Sequence, residues 1–164
     1  MKRIAKFEKV TKERFLTDAE GLDATEKMYD DIIMPSRATT GSAGYDFRTP
    51  FDVTLKCGES IKIPTGIRAW MEEGWVLKIY PRSGLGFKYR VQLNNTVAII
   101  DSDYYFSDNE GHIMIKITND GKEGKTLVLN KGDAFCQGIF IEYGITVDDD
   151  AKASRNGGFG STGK

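Results

Sequence analysis

From Phe51 onward, apolar and polar residues alternate with a period of two, in short runs. Phe51–Lys56, Glu59–Pro64, Ile67–Met71, Trp75–Tyr80, Val91–Leu93, Thr96–Ile100, His112–Thr118, Lys125–Leu129 and Phe135–Tyr143 read as strands. The plainest is His112–Thr118, apolar at Ile113, Ile115 and Ile117, which predicts one buried face. Gly, Asn, Asp or Pro separates many of these runs, as at Lys56–Gly58, Glu72–Gly74 and Asn119–Gly124. Many short strands with no long helix between them predict an all-β sandwich or barrel.

Both ends break this rhythm. Residues 1–35 are the least strand-like. Thr11 to Ile33 carries an interrupted helical pattern, with Phe15, Leu16, Ala19 and Leu22 on one side and Gly21 as the break. Asp23 and Glu26 have capping-box spacing for a short helix running toward Asp31. The acidic cluster Glu26, Asp30 and Asp31 reads as a solvated helix face. From Asp148 the character changes again, and Arg155–Lys164 holds four glycines, too many to sustain a strand or helix. The organisation expected is an N-terminal extension (1–35), an all-β body (36–147) and a flexible Gly-rich C-terminal tail (148–164).

Composition narrows the chemistry. At 164 residues the chain suits one domain. With 23 basic against 24 acidic side chains, a general nucleic-acid binder is disfavoured. A single His, His112, excludes any site built from two histidines of one chain. A Ser-His-Asp triad would have to use it. No apolar run is long enough to span a membrane, and Met1–Lys12 is too polar for a secretory signal. Cys57 and Cys136 form no CxxC pair, so a cytoplasmic setting with reduced thiols is expected.

Three segments carry candidate chemistry. In the tail, Gly residues allow backbone N–H groups close to an anion, and Arg155, Ser161, Thr162 and Lys164 add donors and charge. Phe159 there offers a flat face for a base. Tyr80–Lys88 contains Pro81-Arg82-Ser83-Gly84, a strand end opening a short helical turn, which suits a second anion site. Val97–Tyr104 is an apolar strand ending abruptly in Asp101, a carboxylate placed to orient water or hold a metal. Each also has a plain reading: a loose tail, a surface turn, an Asp-rich turn.

Taken together, these segments resemble the trimeric dUTP pyrophosphatase (dUTPase) family. Five motifs occur in the family's order: Gly41–Phe47, Pro81–Leu85, Ile99–Tyr104, Lys131–Gln137 and Gly157–Gly163. The resemblance implies a distorted jelly-roll β-barrel, a homotrimer with each active site built from all three chains, and Mg²⁺ held on the substrate triphosphate. It implies hydrolysis of dUTP to dUMP and pyrophosphate.

By that resemblance Asp101 activates the attacking water and Tyr104 packs against the deoxyribose. Uracil would lie on a β-hairpin read by Asn95 to Ile100, with Asn95, Ala98 and Ile100 the contacts. Arg82, Ser83 and Gln137 match phosphate contacts, with Gly84 in the same turn. Asp46 would reach Mg²⁺ through water. Arg155, Ser161 and Thr162 would hold the γ-phosphate, with Phe159 closing on the uracil beside Gly160.

The sequence departs from the family pattern in places. Ala98 stands where Gly is common, and Ala134 replaces a basic residue. The link 105–110 is longer than usual and reads as a longer loop or a partner surface. One residue fewer separates Arg155 from Gly157. The segment 11–31 is an extra that would cover a barrel end. His112 is expected on a surface or an interface, Cys136 in the core, and Trp70 and Trp75 packed on the barrel. Two alternatives remain: a dCTP deaminase or bifunctional deaminase on the same fold, and a weakly catalytic homologue that binds a regulatory protein.

Overall fold

The computed structural model describes residues 1–153. Eleven strands and three short helices are found there. In chain order they are β1 (Ala5–Lys9), α1 (Lys12–Asp18), α2 (Glu26–Asp30), β2 (Tyr45–Arg48), β3 (Val53–Leu55), β4 (Ser60–Pro64), β5 (Ile67–Met71), β6 (Trp75–Pro81), α3 (Ser83–Tyr89), β7 (Val91–Leu93), β8 (Ala98–Ile100), β9 (Met114–Asn119), β10 (Leu127–Leu129) and β11 (Ala134–Glu142). A 3₁₀ turn, Ser102–Phe106, follows β8. Among the described residues no helix is long and apolar enough to cross a membrane.

All strand pairs are antiparallel. The largest sheet runs β2-β11-β6-β8, and a second runs β4-β9-β7, with β1-β5 and β10-β3 as two-stranded pairs. The strand pattern's all-β expectation holds, and the arrangement is the jelly-roll barrel that the resemblance implies. Alternation fills its interior: Ile63, Ile115, Ile117, Leu77, Ile79, Leu127, Phe47 and Phe135 are essentially solvent-free. Cys136 lies among them, as expected, and Cys57 sits at a turn. Trp75 packs against the core, whereas Trp70 stays 40% exposed on β5.

The N-terminal segment differs from expectation in three ways. It opens with a strand, β1, laid along β5. Ala5 and Phe7 face the core, and Lys6 and Glu8 face out, so the period of two is present but short and heavily charged. The second helix is capped by Thr25, whose hydroxyl accepts from Met28 N–H at 3.2 Å; Asp23, at φ +50°, is not the cap. Third, the segment is tied into the barrel by His112. This residue is fully buried, not on a surface. Its Nδ1 lies 2.6 Å from Asp18 of α1, and its Nε2 accepts from Gly66 N–H at 2.8 Å. Phe15, fully buried beside His112 and Tyr29, completes the closure. Leu22, Met28 and Ile32 of this segment pack against the barrel core. Glu26 and Asp30 ion-pair with Lys12, and Asp31 with Lys27 and Lys131, which is the solvated charged face expected.

Candidate active site

The site begins with one row across the large sheet. Asp46 on β2 pairs with Gln137 on β11, and Gln137 pairs with Tyr80 on β6. Their neighbours Phe47 and Cys136 point into the core, so Asp46, Gln137 and Tyr80 share the outer face. Arg82 follows Tyr80 by two residues and returns to that face. Its Nε lies 3.3 Å from Asp46 Oδ1, reaching past the strand that carries Gln137. Ser83 opens α3 directly after Arg82, and the first N–H groups of any helix lack intrahelical partners. Ser83 and Gly84 are exposed beside the Arg82–Asp46 pair.

Gly44 belongs to this cluster for a spatial reason. A Cβ at position 44 would fall 2.5 Å from Gln137 Oε1. The missing side chain is the room in which the Gln137 amide lies. Gly44 was legible as part of a motif, but its service to Gln137 was not. Tyr80, at the start of the second candidate segment, lies in the same row two residues before Arg82.

The third motif lies elsewhere. β8 pairs with β6 at Ile79–Ala98 and Leu77–Ile100, so Asp101 falls just beyond the end of β8. It stands three strands across and about four residues along from Asp46. Strand geometry sets that separation on the order of 15–20 Å. Within one chain, the Asp46–Arg82–Gln137 cluster and Asp101 do not converge.

Tyr104 sits in the 3₁₀ turn, 7% exposed. Its hydroxyl donates to His112 O at 2.8 Å and accepts from Asn109 Nδ2 at 2.7 Å. Gly111, at φ +67°, lies so close that a Cβ there would meet Tyr104 O at 2.7 Å. No residue with a side chain fits that position without moving the turn.

The hairpin expected around the third motif takes another form. β7 pairs with β9 while β8 pairs with β6, so the flanking strands belong to different sheets. The crossing is made by a tight turn. Thr96 N–H donates to Leu93 O, and Val97 N–H donates to Asn95 O at 2.7 Å, with Thr96 at φ +68°. That is the rarer, strained kind of γ-turn. Asn95 is exposed there, Ala98 is buried and Ile100 is half-buried. Arg155, Phe159, Gly160, Ser161 and Thr162 lie outside the described residues.

Two other chemistries are closed off. His112 and Asp18 have the spacing of an Asp–His pair, but Nε2 is occupied by the Gly66 N–H, so no serine can use it as a base. Burial, with a smaller push from Asp46, raises the Cys136 thiol well above its usual range, so it stays protonated and inert. No group of three metal-ligating side chains occurs among the described residues.

Arg82, Gln137 and Asp46 set a guanidinium, an amide and a carboxylate on one outer face of an all-β barrel, a donor set suited to a phosphate ligand. Comparison with known proteins makes the class specific. The dUTPase family model matches residues 30–163, and the chain belongs to that family. It is 42% identical over 135 residues to the deoxyuridine 5'-triphosphate nucleotidohydrolase of Lactococcus lactis, covering 80% of this chain and 89% of that one. The Paraburkholderia xenovorans protein of the same name is 41% identical over 155 residues, covering 90% and 97%. Among solved structures, the Streptococcus mutans dUTPase aligns with TM-score 0.65 and 32% identity, covering 87% of this chain and 98% of that one. The dUTPase of Staphylococcus aureus phage phi11, described with a structural Mg(II) ion, shares the fold at TM-score 0.64 and 18% identity, covering 92% and 98%. The deaminase alternative has no support among these relatives, which are named as nucleotidohydrolases or dUTPases.

Proposed function

We propose that this chain is a dUTP diphosphatase, hydrolysing dUTP to dUMP and pyrophosphate. The observation that carries the reading is the row Asp46–Gln137–Tyr80 with Arg82 folded onto it, in a chain of the dUTPase family. Arg82 offers a charged fork to phosphate oxygens, with Ser83, the amides opening α3 and the Gln137 amide beside it. Asp101 orients a water for in-line attack at the α-phosphorus and accepts its proton. An ordinary carboxylate is a weak base near neutrality, so much of the acceleration comes from alignment.

The backbone of Asn95 to Ile100 reads uracil, and the Tyr104 ring lies against the deoxyribose. An added 2′-hydroxyl would lose its water on that face, a penalty of roughly 1–3 kcal/mol. Arg155, Ser161 and Thr162 bind the γ-phosphate while Phe159 covers the base.

The donors suit Mg²⁺. One hard carboxylate, Asp46, faces the phosphate cluster without a cage of protein ligands. A cation that keeps waters and takes its other ligands from phosphate needs no more. When bound, it would neutralise charge on the triphosphate.

The separation of Asp101 from Asp46 within one chain supports a site completed between copies, three in a homotrimer. The test of the reaction is pyrophosphate release from dUTP, dTTP, dCTP and UTP, with and without Mg²⁺. Release confined to dUTP and dependent on Mg²⁺ is expected. Ammonia release from dCTP at a comparable rate would overturn the assignment.

A further inference from the structure

The loop between Tyr104 and His112 is fastened from outside by the N-terminal segment. Thr11, the cap of α1, gives both its donors to one carboxylate: its N–H to Glu110 Oε2 at 2.7 Å and its hydroxyl to Glu110 Oε1 at 2.6 Å. Seven residues on, Asp18 holds His112, the residue whose carbonyl accepts the Tyr104 hydroxyl. On the other flank Tyr105 donates to Glu8 Oε2 at 2.5 Å while Arg68 stacks on its ring at 4.4 Å. Glu110 itself is held at φ +59°, a conformation that a residue with a side chain keeps only when its surroundings enforce it. The Glu110 carboxylate, clamped by Thr11, is such a surrounding. Gly111 lies beside the Tyr104 backbone, so close that a Cβ would meet its carbonyl oxygen, and the buried Tyr104 ring is held at its tip by His112 O and Asn109 Nδ2.

We propose that Thr11 and Glu110 are positioning residues for Tyr104, and that the N-terminal segment thereby sets the preference for deoxyribonucleotides over ribonucleotides. The proposal rests on the reading of Tyr104 as the ring against the sugar. A ring fixed in depth penalises a 2′-hydroxyl fully. A ring free to yield makes room for it, while dUTP, which needs no room, is handled nearly as before. Neither Thr11 nor Glu110 touches substrate in this scheme, so the signature is a change in selectivity rather than a loss of turnover.

The experiment compares kcat/KM for dUTP and UTP in the full-length protein. Thr11→Val and Glu110→Gln should each lower the dUTP/UTP ratio about five- to tenfold, with kcat on dUTP within about threefold of wild type. The double variant should fall no further than either single one, because the two act through one contact. Thr11→Ser, which keeps the hydroxyl, should retain the wild-type ratio. Tyr104→Phe, which frees the ring from both the His112 carbonyl and Asn109, should lower the dUTP/UTP ratio as well. Tyr104→Leu separates the two layers. If it lowers the ratio and Thr11→Val and Glu110→Gln do not, the clamp is refuted and the sugar reading stands. If Tyr104→Leu leaves the ratio unchanged, the sugar reading fails and the proposal with it.

Discussion

Arg82 and Asp46 meet at 3.3 Å across the strand that carries Gln137. Arg82 is 45% exposed, so the pair adds little to stability. Its consequence is placement: the guanidinium is held over the row where a triphosphate would lie. Arg82→Lys keeps the charge but loses the planar fork. It should raise KM for dUTP about tenfold, with Tm within a few degrees of wild type. A KM within twofold of wild type would show that Arg82 does not grip phosphate.

Gly44→Ala tests the cluster without touching a polar group. The new methyl would fall 2.5 Å from Gln137 Oε1, the far end of a flexible side chain that can swing away. The protein should fold, and the displaced amide should cost one charge-assisted hydrogen bond. That corresponds to about 10–100-fold in kcat/KM. Full activity in this variant would remove Gln137 from the site.

Thr96 is strained at φ +68° with a β-branched side chain, a cost of roughly 1–2 kcal/mol. Glycine would relieve it but lose more entropy on folding, so Thr96→Gly should change stability by less than about 1 kcal/mol. The turn it leaves is looser, and the Asn95–Ile100 segment proposed to read uracil is less preorganised. Selectivity for dUTP over dTTP, read as kcat/KM, should fall about three- to tenfold. A large stability loss with unchanged selectivity would make Thr96 a folding residue only.

Two titrations give the fold an acid signature. Burial lowers the pKa of His112 below its ordinary 6.5, against the opposing pull of Asp18. The unfolded chain binds that proton as pH drops through 6.5 while the folded chain resists. This contribution is therefore complete above 6.5 and lost on acidification below it. The Lys6 and then the Tyr105 hydrogen bonds lower Glu8 from 4.5 to about 2, so its contribution is present above 4.5 and lost between 4.5 and 2. Urea midpoints should fall in two stages, the second smaller in Glu8→Gln, since Asp31, Glu110 and Glu123 are lowered too. A midpoint flat from pH 7 to 5 would contradict the buried neutral His112.

How much of this was legible in the sequence depends on range. The alternation in Met114–Asn119 and the Gly-containing turns are local, and they gave the barrel directly. The helical turn after Arg82 was equally local. β1 and β2 were hidden because their alternation is short and their outward residues are charged; pairing with β5 and β11 makes them strands. His112 looked exposed because its partner, Asp18, lies 94 residues away in sequence. The motifs are local and readable, but the distance between Asp46 and Asp101 is set by strand order. No local pattern encodes that order.

In the proposed enzyme, one site draws Arg82 and Asp101 from different copies of the chain. This sharing is tested most directly by mixing two inactive variants, Arg82→Ala and Asp101→Asn, under conditions that exchange subunits. Each homogeneous variant should be at least about 100-fold impaired. In an equal mixture, sites that pair an intact Arg82 with an intact Asp101 from a different chain should form. Random assembly predicts recovery to about a quarter of wild-type turnover. A mixture no more active than its components would place both residues of each site on one chain and contradict the account.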